Sequence, residues 1–194
     1  EKSNTKGDRC NMERIRLTDP ADPRFGDAFA LYEISFPVYE RRTRAAQAAR
    51  LSHPEYHFDL LMEGERFLGI LLFWEADGFR YVEHFATCPQ LRGQGVGTRA
   101  LAQLNGEGVP VVLEIDLPRD EVSIRRQHFY ERCGFFSNPY RHVHPPYRAG
   151  CQGHPLVVMT SPAPASWEEY DRFAAYLGGT VMEDCKIPLT ETEE

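Results

Sequence analysis

The chain has 194 residues, 42% of them hydrophobic and 26% charged, which suits one globular domain and excludes a disordered or collagen-like chain. Lysine and arginine number 22 against 29 aspartate and glutamate, a formal charge of -7. That balance lacks the basic face that neutralises phosphates, so nucleic acid is not expected as a partner and a small molecule, above all a cationic one, is.

Residues 1–11 are polar and unpatterned and read as a tail, with the domain proper over 12–183 and an acidic tail over 184–194. Glu13 to Leu17 alternates as a short strand. Asp22-Pro23 then supplies an N-cap followed by proline at the first helical position. Phe25, Phe29, Tyr32 and Phe36 recur at helical spacing until Pro37. Arg41 to Leu51, rich in alanine and arginine, reads as a second helix with a charged outer face. The period then changes. His57 to Glu63 and Arg66 to Trp74 flank Gly64-Glu65 as a hairpin, and Asp77-Gly78 turns the chain into a third strand, Phe79 to Thr87. A Gly-rich segment over Arg92 to Gly97 leads to a helix from Thr98 to Leu104, and Val109 to Ile115 is a β-branched strand. Asp120 caps a helix that Gly134 ends at Cys133, Phe135-Phe136 opens a short strand, Leu156 to Thr160 is another, and Ser166 to Leu177 is a last amphipathic helix. The fold class is α/β (α+β): one domain, with a mixed, mostly antiparallel central sheet flanked by helices.

No apolar run approaches the roughly 18 residues of a membrane span, and the first residues lack the apolar core of a secretory signal. The five cysteines, Cys10, Cys88, Cys133, Cys151 and Cys185, are widely spaced with no C-x-x-C pair. Free thiols in a reducing cytoplasm are expected, as a monomer or homodimer away from membranes. His53 and His57, and His142 and His144, have no neighbouring cysteine or acid at a recognised ligand spacing, so no metal site is expected.

The most informative stretch is Arg92-Gly93-Gln94-Gly95-Val96-Gly97-Thr98, between a strand and a helix. Glycines there let backbone N–H groups approach an anion, and the helix N-terminus adds positive potential, so a phosphate or pyrophosphate is the natural ligand. A plain tight turn is the alternative. No Gly-Lys-Ser/Thr ends the run, which rules out a P-loop. The spacing is G-x-G-x-G, not the dinucleotide G-x-G-x-x-G, and antiparallel strands precede it.

Arg92-x-x-Gly95-x-Gly97 resembles the R/Q-x-x-G-x-G/A motif of the GNAT N-acetyltransferase superfamily, and Phe129-Tyr130-Glu131-Arg132-Cys133-Gly134-Phe135 is similar to its F-Y-x-x-x-G-F signature. Tyr81 to Thr87 looks like the family's fourth strand, and the order of elements agrees over roughly residues 12–160. The resemblance implies acetyl-CoA as co-substrate, with its pyrophosphate on Arg92, Gly93, Gln94, Gly95, Val96, Gly97 and Thr98. It implies further contacts from the strand backbone at Phe85, Ala86 and Thr87, and from the following helix at Ser123, where many members carry asparagine. Tyr130 matches the family's tyrosine beside the CoA sulfur; a phenol stays protonated at neutral pH and can return a proton to the thiolate. Glu83, four residues before Thr87, matches the glutamate that spermidine/spermine acetyltransferases use to relay the amine's proton. Glu114 on the neighbouring strand is the competing carboxylate, and a reaction without a dedicated base is the third option. Cys133 as an acylated nucleophile is disfavoured by its place at a helix end.

The implied function is acetyl-CoA-dependent N-acetylation of a primary amine on a small molecule, or on a peptide, by direct attack in a ternary complex. The alternative is a non-catalytic acyl-CoA-binding module. Tyr32, Phe36 and Tyr39, with Tyr140, His142, His144, Tyr147 and His154 in the long 138–155 connection, are the candidate acceptor-pocket residues, with simple loop packing as the alternative.

Overall fold

The computed structural model describes residues 11–148 and 150–185. The chain runs β1 (Glu13–Leu17), α1 (Phe25–Ser35), α2 (Arg44–Arg50), β2 (Tyr56–Glu63), β3 (Arg66–Ala76), β4 (Phe79–Thr87), α3 (Val96–Asn105) and β5 (Val111–Asp116). It continues through α4 (Glu121–Arg132), β6 (Phe136–Ser137), β7 (His142–His144), β8 (His154–Ser161) and α5 (Trp167–Tyr176). The strands form one sheet in the order β1-β2-β3-β4-β5-β8-β6, with β7 also beside β8. All pairs are antiparallel except β4–β5. The α/β architecture expected from the sequence is therefore the observed one.

The core lies where the apolar runs of β2, β3 and β4 meet α1. Phe25, Phe29 and Tyr32 are buried on the inner stripe of α1, and Phe25 meets Phe58 of β2 edge-on at 5.9 Å. Trp74 of β3 is wholly buried. A buried aromatic of this size contributes its area and demands a partner for its N–H.

Several boundaries differ from the sequence reading. The α1 helix begins at Phe25 instead of the Asp22-Pro23 step, because the Asp22 carboxylate accepts the Arg24 N–H at 2.9 Å in a separate turn. The α2 helix begins at Arg44, where the Thr43 hydroxyl accepts from the Ala46 N–H at 3.1 Å. Arg42 consequently precedes the helix and is buried, with 1% of its surface exposed, instead of lying on a charged outer face. The α3 helix starts two residues early, at Val96, and β5 is shifted to Val111–Asp116. The 138–155 connection contains the unexpected strand β7, which pairs His142, Val143 and His144 with Leu156, Pro155 and His154.

One irregularity shapes the molecule. Against β3, His84 pairs with Leu72 and Val82 with Phe73, so Glu83 is an extra residue in β4, a bulge. Bulges bend a strand and increase its twist. Past the bulge β3 and β4 stay close only because residue 69 is glycine: a Cβ there would lie 2.4 Å from the Ala86 carbonyl oxygen. On its other edge β4 pairs with β5 only over Arg80–Val82 against Val111–Leu113, and then the two parallel strands diverge.

Candidate active site

The divergence of β4 and β5 opens a cleft of about 1060 Å³, walled by both strands, the segment after α1, the 91–98 loop, α4 and the β7–β8 hairpin. Ten of the twelve residues expected at the cofactor line it: Phe85, Ala86, Thr87, Arg92, Gly93, Gly95, Val96, Gly97, Thr98 and Tyr130. The other two face elsewhere. Gln94 donates its side-chain amide to the Gln90 carbonyl at 2.9 Å. The Ser123 hydroxyl is taken up by the α4 capping box with Asp120 and also accepts the Arg119 N–H at 3.1 Å.

At the loop, Gly93 and Gly95 adopt φ of 77° and 76°, a conformation other residues rarely take. No atom lies within 4 Å of where a Cβ would sit on either glycine. The backbone is thus left bare on an open side, next to the first turn of α3, whose N–H groups have no partner within the helix. This is a fitting cradle for a pyrophosphate. Gly95→Asp should abolish measurable CoA binding by calorimetry, through strain and like charge, while the thermal unfolding midpoint falls only slightly. Unchanged affinity would remove the loop from cofactor binding.

Tyr130 reaches the cleft from α4, its ring edge-on to Phe129 at 5.1 Å and to Phe135 at 5.9 Å. Burial pushes its pKa up to about 12, so it is a protonated phenol at neutral pH. Burial also raises the Cys133 thiol, which leaves little thiolate for nucleophilic attack.

Glu83, at the β4 bulge, is enclosed. Its side chain is fully buried and ion-paired with Arg42. It also accepts from Trp74 Nε1 at 2.8 Å and from the Tyr147 hydroxyl at 2.9 Å. Burial, the largest single influence, would raise its pKa, but the Arg42 charge together with the hydrogen bonds from Trp74 and Arg42 more than offsets it and holds the carboxyl below the usual range. Arg42 donates further to the Val181 carbonyl at 2.6 Å and to Asp184 at 3.4 Å; Asp184 also takes Arg50 at 2.7 Å. The last described residues of the chain are therefore stitched to the site. Three donors on one carboxylate leave it little capacity to take a proton from an amine. Sequence reasoning missed Arg42 because its partner lies 41 residues away.

Glu114 is the second buried carboxylate. It is hydrogen-bonded to His142 Nε2 and accepts from the Tyr81 hydroxyl at 2.5 Å, and His144 Nε2 stands 3.8 Å from its other face. Burial opposes its ionisation, but the two histidines and Tyr81 together lower its pKa. His84 is packed edge-on to Tyr32 and Phe36 at 4.9 and 4.5 Å and donates Nε2–H to the Glu40 carbonyl at 2.8 Å. Burial brings its pKa down to about 4, so it is neutral. Of the expected acceptor residues, Phe36, Tyr39, His144, Tyr147 and His154 line the cleft. Tyr32 is core, its hydroxyl accepting the Arg42 N–H at 2.9 Å, and Tyr140 stacks on Tyr170 at 4.4 Å. His142 is buried behind Glu114.

Glu40, Asp116 and His154, which no sequence pattern links, also line the cleft, with a side-chain oxygen or nitrogen of each within 4.8 Å of the others. Arg126 already neutralises Asp116 at 2.5 Å. Burial, and then the Asp116 charge, holds the Glu40 carboxyl above its ordinary value. Among the described residues no helix is long and apolar enough to cross a membrane.

A strand fork with a glycine loop and a helix N-terminus at one end can hold an anionic cofactor. The chain belongs to the acetyltransferase (GNAT) family, which it matches over residues 25–135. It is 34% identical over 102 residues to YjbC of Bacillus subtilis (strain 168), described as an acetyltransferase; the match spans 50% of each chain. A solved GNAT-family structure from Bacteroides thetaiotaomicron, also described as an acetyltransferase, superposes with a TM-score of 0.79 at 27% identity, covering 90% of this chain and 99% of that one. A Bacillus subtilis acetyltransferase solved with CoA shares the fold at a TM-score of 0.51 and 13% identity, over 77% of this chain and 96% of its own.

Proposed function

We propose that this protein transfers the acetyl group of acetyl-CoA directly to a primary amine of a small molecule, in a ternary complex. The observation that carries the reading is the fork. Among the described residues, the β5-facing edge of β4 beyond Val82 has no strand partner, so the backbone from the Glu83 bulge to Thr87 is free to hydrogen-bond the cofactor's amide arm. A backbone N–H there is placed to polarise the thioester carbonyl. The loop over residues 92–98 holds the pyrophosphate, and Tyr130 protonates the departing thiolate. At the other end of the same cleft Glu114 and Glu40 give an acidic lining that draws in a cationic amine. In this reading Glu83 acts as the buried counter-ion of Arg42 and holds Tyr147 in place.

Turnover is the test. Acetyl-CoA incubated with a panel of polyamines, aminoglycosides, arylalkylamines and short peptides should release free thiol with at least one of them, in step with an amide product seen by mass spectrometry. Tight acetyl-CoA binding with no turnover on any amine would instead support the non-catalytic module.

A further inference from the structure

We propose that His144 is the general base that takes the proton from the acceptor amine, with Glu114 as the positioning residue that holds its charge. The inference rests on the amine-acetylation reading above and assigns a role for which Glu83, with three donors on its carboxylate, has little capacity.

The geometry is specific. His144 lines the cleft yet is only 4% exposed. Its Nδ1 lies 2.5 Å from the Pro145 carbonyl oxygen, which can only accept, so Nδ1 carries the proton and Nε2 bears the lone pair. That Nε2 is buried without a hydrogen-bond partner. A buried polar atom left unpaired costs free energy, and on a residue that lines a cleft it can be completed by what enters there. The ring cannot swing away: it stacks on Tyr147 at 5.0 Å and 19°, and Tyr147 is tied through its hydroxyl to Glu83. Gly153 lets the β7–β8 hairpin close over this backbone, since a Cβ there would lie 3.0 Å from the His144 carbonyl oxygen.

Charged and titratable groups face His144 from every side. From β5 comes the Glu114 carboxylate, 3.8 Å away; from the segment after α1 comes the acidic Glu40. His84 on β4 is neutral, His154 is its cross-strand partner on β8, and Tyr147 is a protonated phenol. Arg42, over the Tyr147 ring at 5.5 Å, is paired with Glu83, and Arg126, which lines the cleft from α4, is paired with Asp116. His84 also has an unpaired buried nitrogen, Nδ1, but it is boxed in by aromatic rings and its nearest carboxylate is already committed to Arg42.

In the step, the amine, having released its ammonium proton to solvent on entering the site, forms the N–C bond with the thioester carbon through its lone pair while an N–H proton passes to His144 Nε2. The C–S bond breaks, its electron pair leaves on sulfur, and Tyr130 supplies the proton to sulfur. The imidazolium then loses its proton to solvent and Tyr130 regains one, so the net products are amide and CoA thiol.

The experiment is a pH–rate profile of kcat/KM, using acetyl-CoA and the best amine of the panel, for wild type and His144→Gln. Histidine changes charge between pH 5 and 8, so the wild type should lose activity on the acid side of that window. His144→Gln should be slower at neutral pH by about 10²–10⁴-fold, lack that limb and keep its KM for acetyl-CoA. His144→Ala should regain activity with added imidazole, which a purely structural role would not allow. A wild-type profile without the acid limb would overturn the assignment whether or not the variants fold, as would a His144→Gln profile within about twofold of wild type. Wild type that turns over no amine would overturn the acetyltransferase reading as well; turnover that ignores His144 overturns the base alone.

Discussion

Replacing Arg42 with methionine should cost about 3–5 kcal/mol of folding stability, the usual penalty for leaving a buried charge without its partner. Arg42 and Glu83 have side-chain exposures of 1% and 0%, so neither can turn to water when the other is removed. The double variant Arg42→Met, Glu83→Gln should recover much of the loss, because it leaves no net charge in the core. Urea unfolding of the four proteins measures this as a double-mutant cycle. A single-variant loss below about 1 kcal/mol would show that the pair is not the buried anchor described. The pH dependence has a defined sign. Glu83 is more acidic folded than unfolded, so its contribution is fully present above the unfolded carboxylate value of about 4.3 and is lost as pH falls through the folded value. Arg42→Met should therefore lose most stability at neutral pH and differ less from wild type in acid.

Tyr130→Phe should lower kcat by roughly 10²–10⁴-fold, the range for loss of a general acid, with CoA affinity unchanged within about twofold. The phenol is held by Phe129 and Phe135 through its ring, and phenylalanine keeps those contacts. The hydroxyl makes no hydrogen bond with another described residue, so its removal strands no buried partner and stability should hold. Equal losses in kcat and kcat/KM would place the interaction in the transition state. A kcat within about twofold of wild type would leave the thiolate to be protonated by solvent.

The sheet was legible because its information is local. Alternation in β1, the turns at Gly64-Glu65 and Asp77-Gly78, and the caps at Asp120 and Ser166 each act over a few residues. The glycine loop was legible for the same reason: positive φ at Gly93 and Gly95 needs glycine, whatever surrounds it. What escaped is long-range. The bulge at Glu83 is a property of register against β3, and no run of residues in β4 announces it. Arg42 reads as a surface arginine until β4 delivers a carboxylate to it. Strand β7 is three residues long, and His-Val-His, buried-exposed-buried, is too short to show a period. Yet that strand and the turn after it bring His144 and Tyr147 to the cleft, so the acceptor side was the part least visible in sequence.

Direct transfer between an acetyl-CoA seated in the β4–β5 fork and an amine at its acidic end is the central claim. Initial rates measured with both substrates varied, on the best amine of the panel, test it most directly. Reciprocal plots should intersect, and the protein's intact mass should stay unchanged after incubation with acetyl-CoA alone. Parallel lines together with an acetylated protein would contradict the claim and place a covalent enzyme intermediate, with Cys133 as the first position to examine, between the two substrates.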